Sequence, residues 1–193
     1  IIRGENIHRY IVEWSNYYVH PDFKNEVKIF KKKEIFTKTP KLLTKFVSNN
    51  IEFALDEIGY CNTNVVYNVH INDNTNIKYL LGLLNSKVVN FWFKNIYVND
   101  DTLFPHIQKN QLASIPIPKL DFSKKEDKKK HDRLVKLVDN IIAINKKLVG
   151  ENNPNTKEIL ERQVRALDGE IDRLVYGLYQ LTEEEINIIE DRE

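Results

Sequence analysis

Apolar positions along this chain change period near residue 75: short alternating runs come before it, and longer runs spaced by threes and fours come after it. The runs at 11–14, 27–30, 41–47, 51–56 and 65–71 predict strands, with Ser48-Asn49-Asn50 as a hairpin turn. Within 41–47, Lys41, Leu43 and Lys45 fall on one face, and Leu42, Thr44 and Phe46 on the other. From Ile77 onward, Ile77, Leu80, Leu81, Leu84, Val88 and Phe91 predict one amphipathic helix, capped by the polar break at 72–76. An irregular polar segment follows, and the alternate prolines of Ile115-Pro116-Ile117-Pro118 predict an extended exit.

Beyond Pro118 the charged run 124–130 reads as a mobile link. Leu134, Leu137, Ile141, Ile144 and Leu148 then mark a helix from His131, stopped by Gly150 and the Asn152-Asn153-Pro154-Asn155 turn. Leu160, Leu167, Ile171, Leu174, Leu178 and Leu181 form the stripe of a second helix. A Thr182/Glu185 capping box opens a last short one over 183–191. The expected fold class is α+β. A twisted, mostly antiparallel β unit packs on a central helix, and a C-terminal antiparallel helical hairpin and a short capping helix follow. The expected division is a β/α unit over 1–119 and a helical appendage over 120–193.

Composition narrows the function. With 193 residues and 41% hydrophobic side chains the chain buries a core, roughly 70% of its unfolded surface at this size. No apolar run reaches the ~18 residues of a membrane span. Twenty-nine basic against 28 acidic residues give a net charge of +1, too balanced for a generic polyanion binder. Clustering of cations on one face would still allow nucleic-acid binding. Cys61 is the single cysteine and has no internal disulfide partner, so a cytoplasmic location is expected. The start, Ile1-Ile2-Arg3-Gly4, carries no signal-peptide pattern, and no Met occurs, so a piece of a longer polypeptide is expected.

Catalytic signatures are missing from the sequence. The five histidines lack metal-ligand spacing, and the six glycines are scattered singly. Asp56-Glu57 and Asp100-Asp101 lack the acid-then-Glu-x-Lys arrangement of a nuclease. Asn152-Asn153-Pro154-Asn155, between two helical stripes, reads as a turn. No active site is expected here.

The order Leu83-Leu84-Asn85-Ser86-Lys87, Leu103-Phe104-Pro105-His106-Ile107, Leu112-Ala113-Ser114-Ile115-Pro116-Ile117-Pro118 resembles the target-recognition domain of TaqI-like adenine DNA methyltransferases. The larger relatives of that family are the type IIG restriction-modification enzymes, which fuse a nuclease, a methyltransferase and a recognition domain. Arg3 to Tyr10 resembles the domain's opening segment, and Ile171 to Ile186 its closing helix. The resemblance implies double-stranded DNA as partner and a methyltransferase domain in the same parent polypeptide. S-adenosylmethionine and Mg would then belong to the parent, with no cofactor in this part.

Under that resemblance the loops supply base-edge contacts, with candidates Asn49, Asn50, Asn99, His106 and Lys109. Lys38, Lys41 and Lys45 hold phosphates, and Arg9 adds a phosphate or stacking contact. Plainer readings stand beside these: a turn and edge strand at Arg9, and ordinary strand-edge charges at the lysines. Two other functions fit the same pattern. One is half of a type I specificity subunit; the other is a protein-docking module built on the helical hairpin.

Overall fold

The computed structural model describes residues 1–18, 34–97 and 106–190. The expected strand at 27–30 and most of the polar segment, including Asn99, lie outside them. Ten elements follow in order: α1 (Glu34–Thr37), β1 (Lys41–Lys45), β2 (Phe53–Asp56), β3 (Val66–Val69), α2 (Ile77–Leu84), α3 (Lys87–Tyr97), α4 (Lys109–Ala113), α5 (Lys125–Val149), α6 (Pro154–Tyr179) and α7 (Glu183–Glu190). The architecture is α+β, as the periodicities predict. The run at 11–14 forms only an isolated bridge, Ile7 to Val12.

The sheet is antiparallel with the order β2-β1-β3, so β1 is its centre. Leu42 pairs with Leu55 on one side and Val69 on the other. Both faces are covered. Leu42, Phe53 and Leu55 join the main core. Leu43, Ala54 and Val66 pack with Ile2 and Ile7 of the N-terminal segment in a second, smaller core. That segment runs along β2, where Tyr10 N donates to Phe53 O at 2.8 Å and Leu55 N donates to Tyr10 O at 3.2 Å. Tyr10 takes φ 74°, a left-handed conformation costing on the order of 1 kcal/mol for a residue with a Cβ. Pairing on both sides of its peptide holds it there.

The single helix expected over 77–93 is two helices, broken at Asn85-Ser86. The break has a physical cause. Asn85 Oδ1 accepts from Phe53 N at 2.8 Å, and its Nδ2 donates to Phe53 O at 2.9 Å, so a side-chain amide serves as strand partner to β2. Ser86 Oγ donates to Leu83 O at the end of α2 and accepts from Val89 N at the start of α3. One turn later Asn90 Oδ1 accepts from Ile51 N at 2.9 Å. The α2–α3 junction thus satisfies backbone groups that an outer strand edge would leave open. At the other end of α2, Asn76 accepts from Lys78 N and Tyr79 N, the cap expected from the polar break.

The charged run 124–130 is the first part of α5 rather than a mobile link. Lys and Glu are good helix formers, and Glu126 and Asp127 stand in the first turn, where the helix dipole favours acids. Asn153 caps α6, accepting from Asn155 N and Thr156 N, with Pro154 as first helical residue. The Thr182/Glu185 capping box forms as expected. Gly82 lets α2 meet α5 closely: a Cβ there would lie 2.9 Å from the side chains of Leu134 and Val138. The main core runs without interruption from Tyr10 and Phe53 through Leu81 to Val138, Ile141 and Val175 of the hairpin.

Candidate nucleic-acid interface

β1 leaves the sheet at Lys45, and the next residues build an open, polar end. Phe46 N donates to Val65 O, and Phe46 O accepts from Ile107 N at 2.8 Å. Val47 then bridges to His106, which places the hairpin turn 48–50 and the 106–109 segment at one end of the sheet. Aromatic rings floor this end. Phe46 lies 4.8 Å from the His106 ring and 5.6 Å, edge-on, from Tyr67. The Tyr67 hydroxyl donates to Ile107 O at 3.0 Å, and burial pushes its pKa up. Lys109 Nζ stands 6.0 Å above the Tyr67 ring centroid. Lys45 pairs with Glu52, and Asn50 N donates to Ser48 Oγ. Asn49, Asn50, His106 and Lys109 are exposed.

Asn49, Asn50, His106 and Lys109 therefore stand at one end of the sheet, whereas Lys45 lies on the opposite face from Tyr67, beside Gly4, Glu5 and Val65. Asn99 lies outside the described residues. Lys38 is exposed at the far end of β1, after α1. Lys41 and Arg9 have other employment, and both expectations need correction.

Lys41 is fully buried. Its Nζ lies 2.5 Å from Asp56 Oδ2 and also donates to the carbonyls of Phe36 and Tyr60. Asp56 in turn accepts from Ile58 N, Gly59 N and Tyr60 N, each at 2.9 Å. An ammonium enclosed this way holds the β2 exit turn and has no donor left for a phosphate. The expected exposed strand face fails because β1 is central and the N-terminal segment covers it.

Arg9 is a clamp. Its guanidinium makes a two-pronged pair with Asp168 of α6, at 3.0 and 3.1 Å, and donates to Asn85 O at 2.7 Å. The Tyr10 hydroxyl donates to the same carboxylate at 3.1 Å. Burial raises the Asp168 pKa against the pull of Arg9. One turn on, Asp172 accepts from Lys87 N at the start of α3 at 2.9 Å, and burial pushes its pKa up to about 6. The N-terminal segment, the α2–α3 junction and α6 are locked together here.

Beside the clamp a cleft of about 500 Å³ opens between α3 and α6, and Asn50 sits in its wall. The polar floor of this cleft joins the open end of the sheet through the Lys45–Glu52 pair. Phe46 and Tyr67 carry little sequence signal for a place in this floor. Their place on alternating strand positions was the available signal, but it fits core equally well. On the opposite side of α3, Phe91, Trp92, Pro116, Leu181 and Ile188 line an apolar groove of about 450 Å³. The Tyr179 hydroxyl closes one end of this region, donating to Pro116 O at 2.7 Å.

Among the described residues, no group of three or more His, Cys, Asp or Glu is placed to hold a metal ion. No helix among them is long and apolar enough to cross a membrane. The search of curated proteins returned no match to the chain. The family described as the TaqI-like C-terminal specificity domain matches residues 1–117, the stretch that holds the sheet, the α2–α3 junction and its open polar end. That match covers well over half of the sequence, and the chain belongs to the TaqI-like C-terminal specificity domain family, which serves DNA sequence recognition in restriction-modification enzymes.

Proposed function

We propose that the chain is the sequence-reading part of a type IIG-like restriction-modification enzyme. It positions duplex DNA so that a methyltransferase domain of the same polypeptide can methylate an adenine, and so that a nuclease domain, in a parent that carries one, cuts at a set distance. Chemistry on a base requires that the base leave the stack, so a separate unit must hold and read the duplex. The observation that carries this reading is the gathering of Asn49, Asn50, His106 and Lys109 at one aromatic-floored end of the sheet, with Lys45 on the other face of the same strand end. Amide and imidazole side chains supply both donors and acceptors for base edges, and the two lysines supply charge for phosphate.

S-adenosylmethionine and Mg would be held by the other domains of the parent, in a cytoplasmic enzyme. In this reading the chain contributes recognition, and the chemistry belongs to the other domains of the parent. Residues 1–119 would be the recognition unit and 120–193 its helical support.

A selection experiment tests the proposal. Random-sequence duplexes incubated with the chain at low salt should enrich a defined motif. His106→Ala and Asn49→Ala should alter the enriched bases, whereas Lys45→Ala should weaken all sequences alike. Absence of any enriched motif would overturn it.

The apolar groove beside α3 favours a second reading, a module that docks on another protein. Salt separates the two: DNA affinity falls steeply as ionic strength rises, and an apolar contact changes little. The type I specificity-subunit reading loses ground because α6 folds back on α5 at Pro154 instead of projecting as a spacer.

A further inference from the structure

The cleft between α3 and α6 holds four carboxylates, and each already has a partner. Glu52 pairs with Lys45, and Asp168 with Arg9. Asp172 accepts from Lys87 N, and Glu190 takes the Lys87 ammonium at 2.7 Å and the Tyr176 hydroxyl at 2.6 Å. Three further cations line the same cleft: Lys94 on α3, and Arg165 and Arg173 on α6. All three are exposed, and none forms an ion pair among the described residues. The unspent charge of the cleft is therefore positive, although the whole chain carries only +1.

The spacing of these cations selects the kind of anion. Arg165 and Arg173 are eight positions apart on one helix, about 12 Å along its axis at the helical rise per residue. Cations spread over that length, with Lys94 across the cleft, match successive phosphates of a backbone. The Asn50 wall of the cleft leads directly to the open end of the sheet.

We propose that Lys94, Arg165 and Arg173 form a track for the DNA phosphate backbone that continues from the sequence-reading end of the sheet onto the helical hairpin. The proposal rests on the DNA-recognition reading and extends it to α6, which lies beyond the residues shared with the family. The track positions the duplex and reads no bases, since guanidinium and ammonium groups on a helix flank meet phosphate oxygens without regard to sequence. Arg9 and Lys87 support it from below, tied up with carboxylates and with the α3 start.

The test measures binding of the chain to a short mixed-sequence duplex across a salt series. The triple variant Lys94→Ala, Arg165→Ala, Arg173→Ala is compared with a charge-matched control, Lys125→Ala, Lys128→Ala, Lys129→Ala, whose exposed side chains lie outside the cleft. The cleft variant should lower the slope of log affinity against log salt by about 2–3 and weaken binding tenfold or more, with an unchanged melting curve. The control should stay close to wild type. Equal losses in both variants, or none in the cleft variant, would overturn the track while leaving the recognition reading intact. Wild-type chain without salt-dependent duplex binding would overturn both. Tighter binding to the corresponding single strand than to the duplex would also overturn the track.

Discussion

The two ends of β1 carry the same residue on the same face, and they do opposite things. At the start of the strand Lys41 is sealed against Asp56 and two carbonyls; at its end Lys45 makes a single half-exposed pair with Glu52. Four residues separate them. What differs is the cover: α1, Tyr60 and the N-terminal segment close the first end, while the second opens onto a turn and an aromatic floor. A buried cation becomes part of the fold because its desolvation must be offset by fixed partners. A half-exposed one stays available to exchange its partner for an incoming phosphate.

Breaking the closed end should have the larger effect. Lys41→Met removes the only cation facing Asp56 among the described residues and leaves a buried carboxylate uncompensated, at a cost of about 3–5 kcal/mol. Urea unfolding followed by circular dichroism measures this, and a loss under about 1 kcal/mol would show that the pair is not the anchor described here.

The clamp beneath the cleft gives an intermediate effect with a sign fixed by burial. Asp172 has its folded pKa raised to about 6 from the ordinary carboxylate value, so the folded chain binds its proton more tightly than the unfolded chain does. Stability from this group is fully present below the unfolded pKa and is lost as pH rises through about 6, on the order of 3 kcal/mol in all. Asp172→Asn keeps an acceptor for Lys87 N and should flatten that part of the stability–pH curve. An unchanged slope between pH 4 and 6, the window set by the two pKa values, would contradict the burial argument.

The open end should respond least in stability. Lys45→Ala removes a partly buried pair with Glu52 and should cost less than breaking the sealed Lys41–Asp56 pair, yet it should lower the salt slope of duplex binding by about 1. A large drop in unfolding free energy with no change in slope would reverse the roles assigned to the two lysines.

Much of the scaffold was legible in the residues. Asn76, Asn153 and the Thr182/Glu185 box mark helix starts because a short polar side chain satisfies the otherwise open N–H groups of a first turn. The stripes of α5 and α6 predict a hairpin because only one face of each can be buried. The break at Asn85-Ser86 was not legible. Ile77 to Phe91 keeps helical spacing straight through it, and the reason for the break is a β-strand backbone 32 positions away.

For the candidate interface the division runs the same way. Side-chain chemistry and local turn signals already pick out the candidates for meeting DNA: amides, imidazole and lysines in loops and at strand ends. The sequence also sets the α+β plan, because period and capping are local. Which of these groups are free follows from three-dimensional packing. Burial and pairing depend on segments distant in sequence: Asp168 reaches Arg9 across 159 positions, and Val47 meets His106 across the sheet end. Desolvation then assigns Lys41 and Arg9 to holding the fold, and it leaves Asn49, Asn50, His106 and Lys109 exposed and Lys45 partly so, at the end proposed to meet DNA.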